Sequence, residues 1–146
     1  MQSESSDPFM FIDSNIWLYV FQPELEPIKT PLSQKLIREN RTKIIMSSQV
    51  VVEVSSNLLK KYEYDEYFVY KFIYESYRRY KVINIDEEIL VKASQIRQEH
   101  LFSYWDSIIA SAALVAGATI LYSEDMDTGL VLADQLTIVN PFEHKE

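Results

Sequence analysis

Residues 102–129, FSYWDSIIASAALVAGATILYSEDMDTG, decide the fold. From Asp106 to Ala116 the chain is nearly all small and apolar, which lets a helix pack closely against a sheet. Gly117 interrupts that run. Thr119–Tyr122 then reads as a β-rich strand, and it stops at an acidic cluster, Glu124, Asp125 and Asp127. A helix feeding at once into a buried strand is half of a parallel βαβ unit. In open parallel sheets, ligand sites lie just outside the carboxyl ends of the strands, and the acidic loop falls there.

Outward from this stretch the same alternation continues. Phe9–Ile12 is a continuous apolar run, predicted as a central strand that ends at Asp13, and Ser14–Phe21 follows as a short helix. Pro23, Pro27 and Pro31 predict a loop over 22–31, with a helix over 32–41. Lys43–Met46 is a second strand, after which Ser47 or Ser48 can cap a helix to about Tyr62. The β-branched run QVVVEV also permits one strand over 43–54. The stripe Val50, Val51, Val54 and Leu58 favours the helix, with Glu53, Asn57 and Lys60 on an adjacent face. Tyr64–Tyr80 is a further helix, on which Tyr67, Tyr70, Tyr74 and Tyr77 recur at helical spacing. Such a stripe is either an aromatic core face or, because four hydroxyls need partners, a contact surface for protein; base stacking is a third use. Lys81–Ile85 is a third strand. Asp86 caps a helix ending near His100, with Ile85 and Leu90 placed as a hydrophobic staple. Met126–Asp134 is a turn region around Gly129, Gln135–Val139 a last strand, and Asn140-Pro141 its end. The pattern predicts an α/β fold in one domain over 1–146, with 1–7 as a disordered tail.

Composition narrows the function classes. The chain has no cysteine, which removes disulfides, thiolate zinc sites and a cysteine nucleophile. Its N-terminus, MQSESSDP, lacks the pattern of a secretory signal, and no apolar run reaches membrane-spanning length, so the expected setting is cytoplasmic. The only glycines are Gly117 and Gly129, which leaves no Gly-rich phosphate loop and no nucleophile elbow. A net charge of −8 opposes bulk attraction of nucleic acid. The charge is uneven, however. Residues 29–81 hold eleven basic and six acidic residues, a net of +5.

Acidic residues sit at several strand ends or helix starts: Asp13, Glu53, Asp106, and the group Glu124, Asp125 and Asp127. Each has an ordinary structural use: Asp13 as a helix cap, Asp106 in the start set by Ser103, Glu53 on a solvated face, the others in a turn. In a parallel sheet, though, Asp13, Glu53 and the 124–127 group fall at one edge, and Asp106 joins them if its helix begins beside that edge. Close carboxylates repel one another, and a divalent cation resolves the repulsion. Oxygen ligands, with His100 at a helix end and His144 in the tail, select a hard ion, Mg²⁺ or Mn²⁺. An ion so held suits phosphoryl chemistry.

FIDSNIWLY at 11–19, SSQVVVEVSSNL at 47–58, YWDSIIASAALVAGATILYSEDMDTG at 104–129 and LTIVNPF at 136–142 together resemble the PIN domain. Within that family the chain is most similar to the ribonuclease toxins of bacterial VapBC toxin–antitoxin pairs, over about 8–142. The resemblance implies a three-layer, Rossmann-like fold, with a parallel sheet of four to five strands in the order 3-2-1-4-5. It implies a Mg²⁺- or Mn²⁺-dependent endoribonuclease that hydrolyses phosphodiester bonds to leave 5′-phosphate and 3′-hydroxyl ends. The family's four acids fall on Asp13, Glu53, Asp106 and Asp125. Asp127 is an additional or substitute ligand, and Asn15 and Ser123 orient carboxylates or water. The implied partners are RNA, a small DNA-binding antitoxin protein and a second copy of the chain in a homodimer. A non-catalytic interaction module, and another metal-dependent nuclease or phosphatase using the same acids, are the alternatives.

Overall fold

The computed structural model describes residues 8–143, so the expected tail at 1–7 and His144 lie outside the described residues. Among the described residues six α-helices, with a short 3-10 turn at Arg41–Lys43, flank a six-stranded sheet. The strands are β1 (Met10–Ile12), β2 (Ile44–Ser47), β3 (Lys81–Ile83), β4 (Ile120–Tyr122), β5 (Val131–Leu132) and β6 (Leu136–Val139). The helices are α1 (Ser14–Tyr19), α2 (Lys29–Glu39), α3 (Ser48–Lys60), α4 (Glu66–Arg79), α5 (Glu87–Glu99) and α6 (Tyr104–Val115). The sheet order is β3-β2-β1-β4-β6-β5, and all pairs are parallel except β5 with β6. The five parallel strands thus follow the expected order 3-2-1-4-5, with an antiparallel edge added.

β1 lies at the centre, and Met10, Phe11 and Ile12 are all buried, as a strand covered on both faces requires. α6 buries every residue from Ser107 to Leu114. Its small side chains allow close approach to α5 and the sheet, and Ser111 donates to the Ile89 carbonyl at 2.6 Å. Gly117, at φ +86°, then reverses the chain. Its N–H donates to the Leu114 carbonyl and that of Ala118 to the Ala113 carbonyl, so a Schellman turn leads directly into β4.

Ser47 caps α3 through Val50 N–H, which resolves 43–54 into a short strand and a helix. Two expectations are corrected, and one of the open readings of the tyrosine stripe is removed. α2 begins at Lys29 rather than after Pro31. The proline occupies the first turn, where a backbone N–H has no intrahelical acceptor, so its missing hydrogen costs nothing. The region 126–134 contains β5, joined to β6 through residues 133–135, with Ala133 and Asp134 both at φ +53° and Gln135 N–H donating to the Leu132 carbonyl at 2.9 Å. Finally, the tyrosine stripe is no core face. Tyr67, Tyr70, Tyr74 and Tyr77 are 43–69% exposed, and α4 packs instead through Phe68, Val69, Phe72 and Ser76. Phe68 and Phe72 meet Phe21 edge to face, an arrangement that leaves no hydroxyl to satisfy.

Candidate metal centre

Strands β1, β2 and β4 end at the same edge of the sheet. β1 delivers Asp13 there. Its N–H donates to the Tyr122 carbonyl at 2.9 Å, prolonging the ladder by one residue. The carboxylate caps α1 through Ser14 N–H at 2.7 Å and is only 5% exposed. β4 delivers Ser123, fully buried, whose hydroxyl donates to Asp13 Oδ2 at 2.8 Å and accepts from Asp125 N–H at 3.2 Å. Ser123 therefore fixes both the first acid and the turn that carries the fourth.

Glu53 stands on the second turn of α3. Ser14 Oγ donates to its Oε1 at 2.9 Å, and Gln49, one turn earlier, donates to Oε2 at 3.1 Å. Asp106 lies in the first turn of α6, where its N–H is capped by Ser103 Oγ at 3.1 Å. Asn15 donates to Asp125 Oδ2 at 2.8 Å, so α1 holds the acidic loop from the other side. The structure thus links Asp13, Glu53 and Asp125 through Ser14, Asn15 and Ser123, and it sets Asp106 within Coulombic reach of Glu53, Asp125 and Asp13.

Burial, with added repulsion from Asp106 and Glu53, pushes the Asp13 carboxyl from 3.8 up to about 6, despite the lowering effect of its bonds from Ser123 and Ser14. Burial and the charges of Asp125 and Glu53 likewise raise Asp106, partly offset by Ser103. Among the described residues no lysine or arginine forms an ion pair with any of these four acids.

Asp127 and Glu124 part company from this group. Asp127 is exposed and is not among the charges that perturb Asp13 or Asp106. Glu124 turns to the other side of the loop, accepting from both Tyr19 Oη and Lys29 Nζ. Burial alone would raise its pKa, but these two bonds and the Lys29 charge bring it below the ordinary value. The Lys29 ammonium also lies 5.1 Å from the centre of the Tyr19 ring and 5.5 Å from that of Phe142, whose rings meet edge to face. The clamp ties α1, α2 and the C-terminal segment to the acidic loop. Ser14, Gln49, Tyr19 and Lys29 were absent from the sequence reading of the site. Ser14 and Gln49 carried a signal, since one follows Asp13 and the other precedes Glu53 by one helical turn. Lys29 carried none.

The group fits a hard divalent cation in three respects. The available donors are all oxygen, which suits Mg²⁺ or Mn²⁺. Asp13 and Asp106 are raised, by burial first and then by the neighbouring acids, as carboxylates without a counter-charge are. Asn15 Oδ1, beside Asp125, is a buried acceptor with no hydrogen-bond partner. Among the described residues no three His, Asp or Glu side chains converge as a ready-made ligand trio. Hydroxyl and amide donors interleave the carboxylates instead.

The model of the PIN domain family matches residues 10–131. The chain is a PIN domain. Similar folds occur in a toxin–antitoxin complex from Klebsiella pneumoniae (18% identity, 92% of this chain and 99% of that one, TM-score 0.69). They occur also in Mycobacterium tuberculosis VapC20, described as a sarcin–ricin loop cleaving toxin (14%, 81% and 91%, 0.65), and in FitAcB from Neisseria gonorrhoeae (16%, 93% and 100%, 0.65). At these identities the likeness is one of fold. No curated protein matches the sequence. In this PIN domain no helix among the described residues is long and apolar enough to cross a membrane.

Proposed function

We propose that this PIN domain is the toxin of a type II toxin–antitoxin pair, a Mg²⁺- or Mn²⁺-dependent endoribonuclease acting in the cytoplasm. The observation that carries the reading is the unpaired acid group at the carboxyl edge of the sheet, with Asp13 buried at its base. Asp13, Asp106 and Asp125 would hold the ion, with Glu53 contributing directly or through water. When bound, the ion would supply Lewis-acid stabilisation of the charge that develops on the phosphate oxygens.

The chain's own residues do the orienting. Ser123 fixes the plane of the Asp13 carboxylate, Asn15 that of Asp125, and Ser14 with Gln49 that of Glu53. No side-chain nucleophile is required. Ser14 and Ser123 both spend their hydroxyl hydrogens on carboxylates, and the chain has no cysteine. Similarity in fold to toxin–antitoxin complexes supports a small DNA-binding antitoxin as partner. The exposed tyrosines of α4 supply a surface for it or for a second copy in a homodimer.

The test is titration of Mg²⁺ and Mn²⁺ into purified, antitoxin-free protein with a mixed RNA pool, beside an Asp106→Asn control. Metal-dependent cleavage lost in the control is the expected result. Cleavage that survives in a folded Asp106→Asn protein, or that ignores metal removal, would sink the reading.

A further inference from the structure

The carboxylates account for chemistry at a phosphate but not for how a negatively charged protein holds a polyanion beside them. A net charge of −8 weakens electrostatic attraction overall, so contacts that do not depend on charge must add to whatever the basic stretch 29–81 supplies. One is built next to Asp106. The chain has two tryptophans: Trp17 is buried at 4% exposure, and Trp105 is 61% exposed although it immediately precedes Asp106. Trp105 forms one wall of an open hollow of about 420 Å³, with Val52 and Ile85 as apolar neighbours and Ser48, Gln49 and Glu53 as polar ones.

The wall is held in place. Gln49 Nε2 donates to the Trp105 carbonyl at 3.3 Å as well as to Glu53 at 3.1 Å, so one amide connects the aromatic residue to the acid group. Tyr104 meets the Trp105 ring edge to face at 5.4 Å. The Arg97 guanidinium lies 4.4 Å from the centre of the Tyr104 ring and donates to Ser107 Oγ at 2.6 Å. A positive charge therefore sits over Tyr104, the ring that supports Trp105.

We propose that Trp105, with Val52 and Ile85, is a stacking platform for one base of single-stranded RNA, and that it positions the adjoining phosphate at the carboxylates. This rests on the ribonuclease reading of the site. Every base offers a π face, so the platform tolerates sequence, and the larger purine ring favours adenine over uracil. Duplex RNA keeps its bases stacked internally and is excluded.

The fold supplies its own probe. Trp105 fluorescence reports occupancy of the hollow, while buried Trp17 serves as an internal reference. The full chain, in EDTA to stop hydrolysis, is titrated with short oligoadenylate and oligouridylate. Trp105→Phe, which still stacks, and Trp105→Ala, which does not, are followed by polarisation of labelled oligonucleotide, with light scattering to record the oligomeric state. The expected result is quenching in the wild type, stronger with oligoadenylate. Affinity should fall about tenfold in Trp105→Ala and be largely kept in Trp105→Phe, with no change in mass. In Mg²⁺, the same loss should appear in KM more than in kcat. Unchanged affinity in Trp105→Ala overturns the platform, as does a loss of affinity wholly explained by dimer dissociation, which would make the hollow a contact between copies. Cleavage with Trp105-independent binding removes the platform alone. Trp105-dependent binding without metal-dependent cleavage removes the nuclease reading and leaves the platform.

Discussion

Asp13 and Glu124 lie at the same edge of the sheet, and their surroundings are opposite. Asp13 is buried, takes its hydrogen bonds from a serine hydroxyl and a backbone N–H, faces other acids, and is pushed up to about 6. Glu124 is one residue from Asp125, yet a lysine and a tyrosine draw it below its ordinary value. Glu124 has its counter-charge within the fold; Asp13 has none there. The difference separates carboxylates that hold the loop in shape from those suited to a cation. Adjacency in sequence does not make that separation, because consecutive residues in a turn point to different sides.

The sharpest way to break the contrast is Asp13→Asn. Asparagine keeps the helix cap and the volume while removing the buried charge. Cleavage should fall by more than the roughly 100-fold typical of losing a group that merely orients a ligand. Stability at pH 7 should rise by about 3 kcal/mol, because a carboxyl raised from 3.8 to about 6 favours the unfolded state once ionised. The sign follows from linkage. The folded form holds this proton more tightly, so its stabilising effect is complete below 3.8 and is lost as pH rises through about 6. Chemical denaturation across that range should show the decline in the wild type and its absence in Asp13→Asn. Mg²⁺ should restore wild-type stability at pH 7 and leave the variant unmoved. A variant less stable than wild type at pH 7 would show that Asp13 carries no burden to relieve.

Asp125→Asn against Asp127→Asn sharpens the contrast within the loop. The first should reduce cleavage by about 100-fold, and the second should leave it within about twofold. Equal losses, read in the same assay with isothermal titration of Mn²⁺, would place Asp127 among the ligands. Ser123→Ala comes next. It leaves Asp13 Oδ2 without its donor, so stability at pH 7 should fall by about 1–2 kcal/mol and cleavage by about tenfold. The smallest effect is expected for Glu124→Gln. The pair with Lys29 is partly exposed, so its loss should cost less than about 1 kcal/mol, with a fewfold drop in cleavage as the loop loosens. A loss as large as that of Asp125→Asn would mean that Glu124 serves the cation after all.

Much of the fold could be read from local pattern. The apolar run Met10–Ile12, the small-residue helix before Gly117 and the caps Ser47, Asp86 and Ser103 are short-range signals that tertiary packing did not override. What escaped had weak local signals. β5 is two residues long, and its turn, residues 133–135, lacks the Asn-Gly or Asp-Gly pair that announces a hairpin. The start of α2 hid behind Pro31, which breaks helices everywhere except in their first turn. On α4 two aromatic stripes have the same period. Periodicity cannot choose between Phe68/Phe72 and the tyrosines, and the cost of burying hydroxyls without partners decided it.

For the site, the charged residues are legible directly, and the strand–helix alternation brings Asp13, Glu53 and the cluster Glu124, Asp125 and Asp127 to one edge of a parallel sheet. Their condition is set by packing in space. Burial of Asp13, the Ser123 bridge across 110 positions of chain, the Lys29 clamp on Glu124 and the exposure of Trp105 beside Asp106 all depend on residues distant in sequence. A pKa, an ion pair and an exposed ring are set by what surrounds a side chain in space. Hydropathy and spacing report only the face on which that side chain begins.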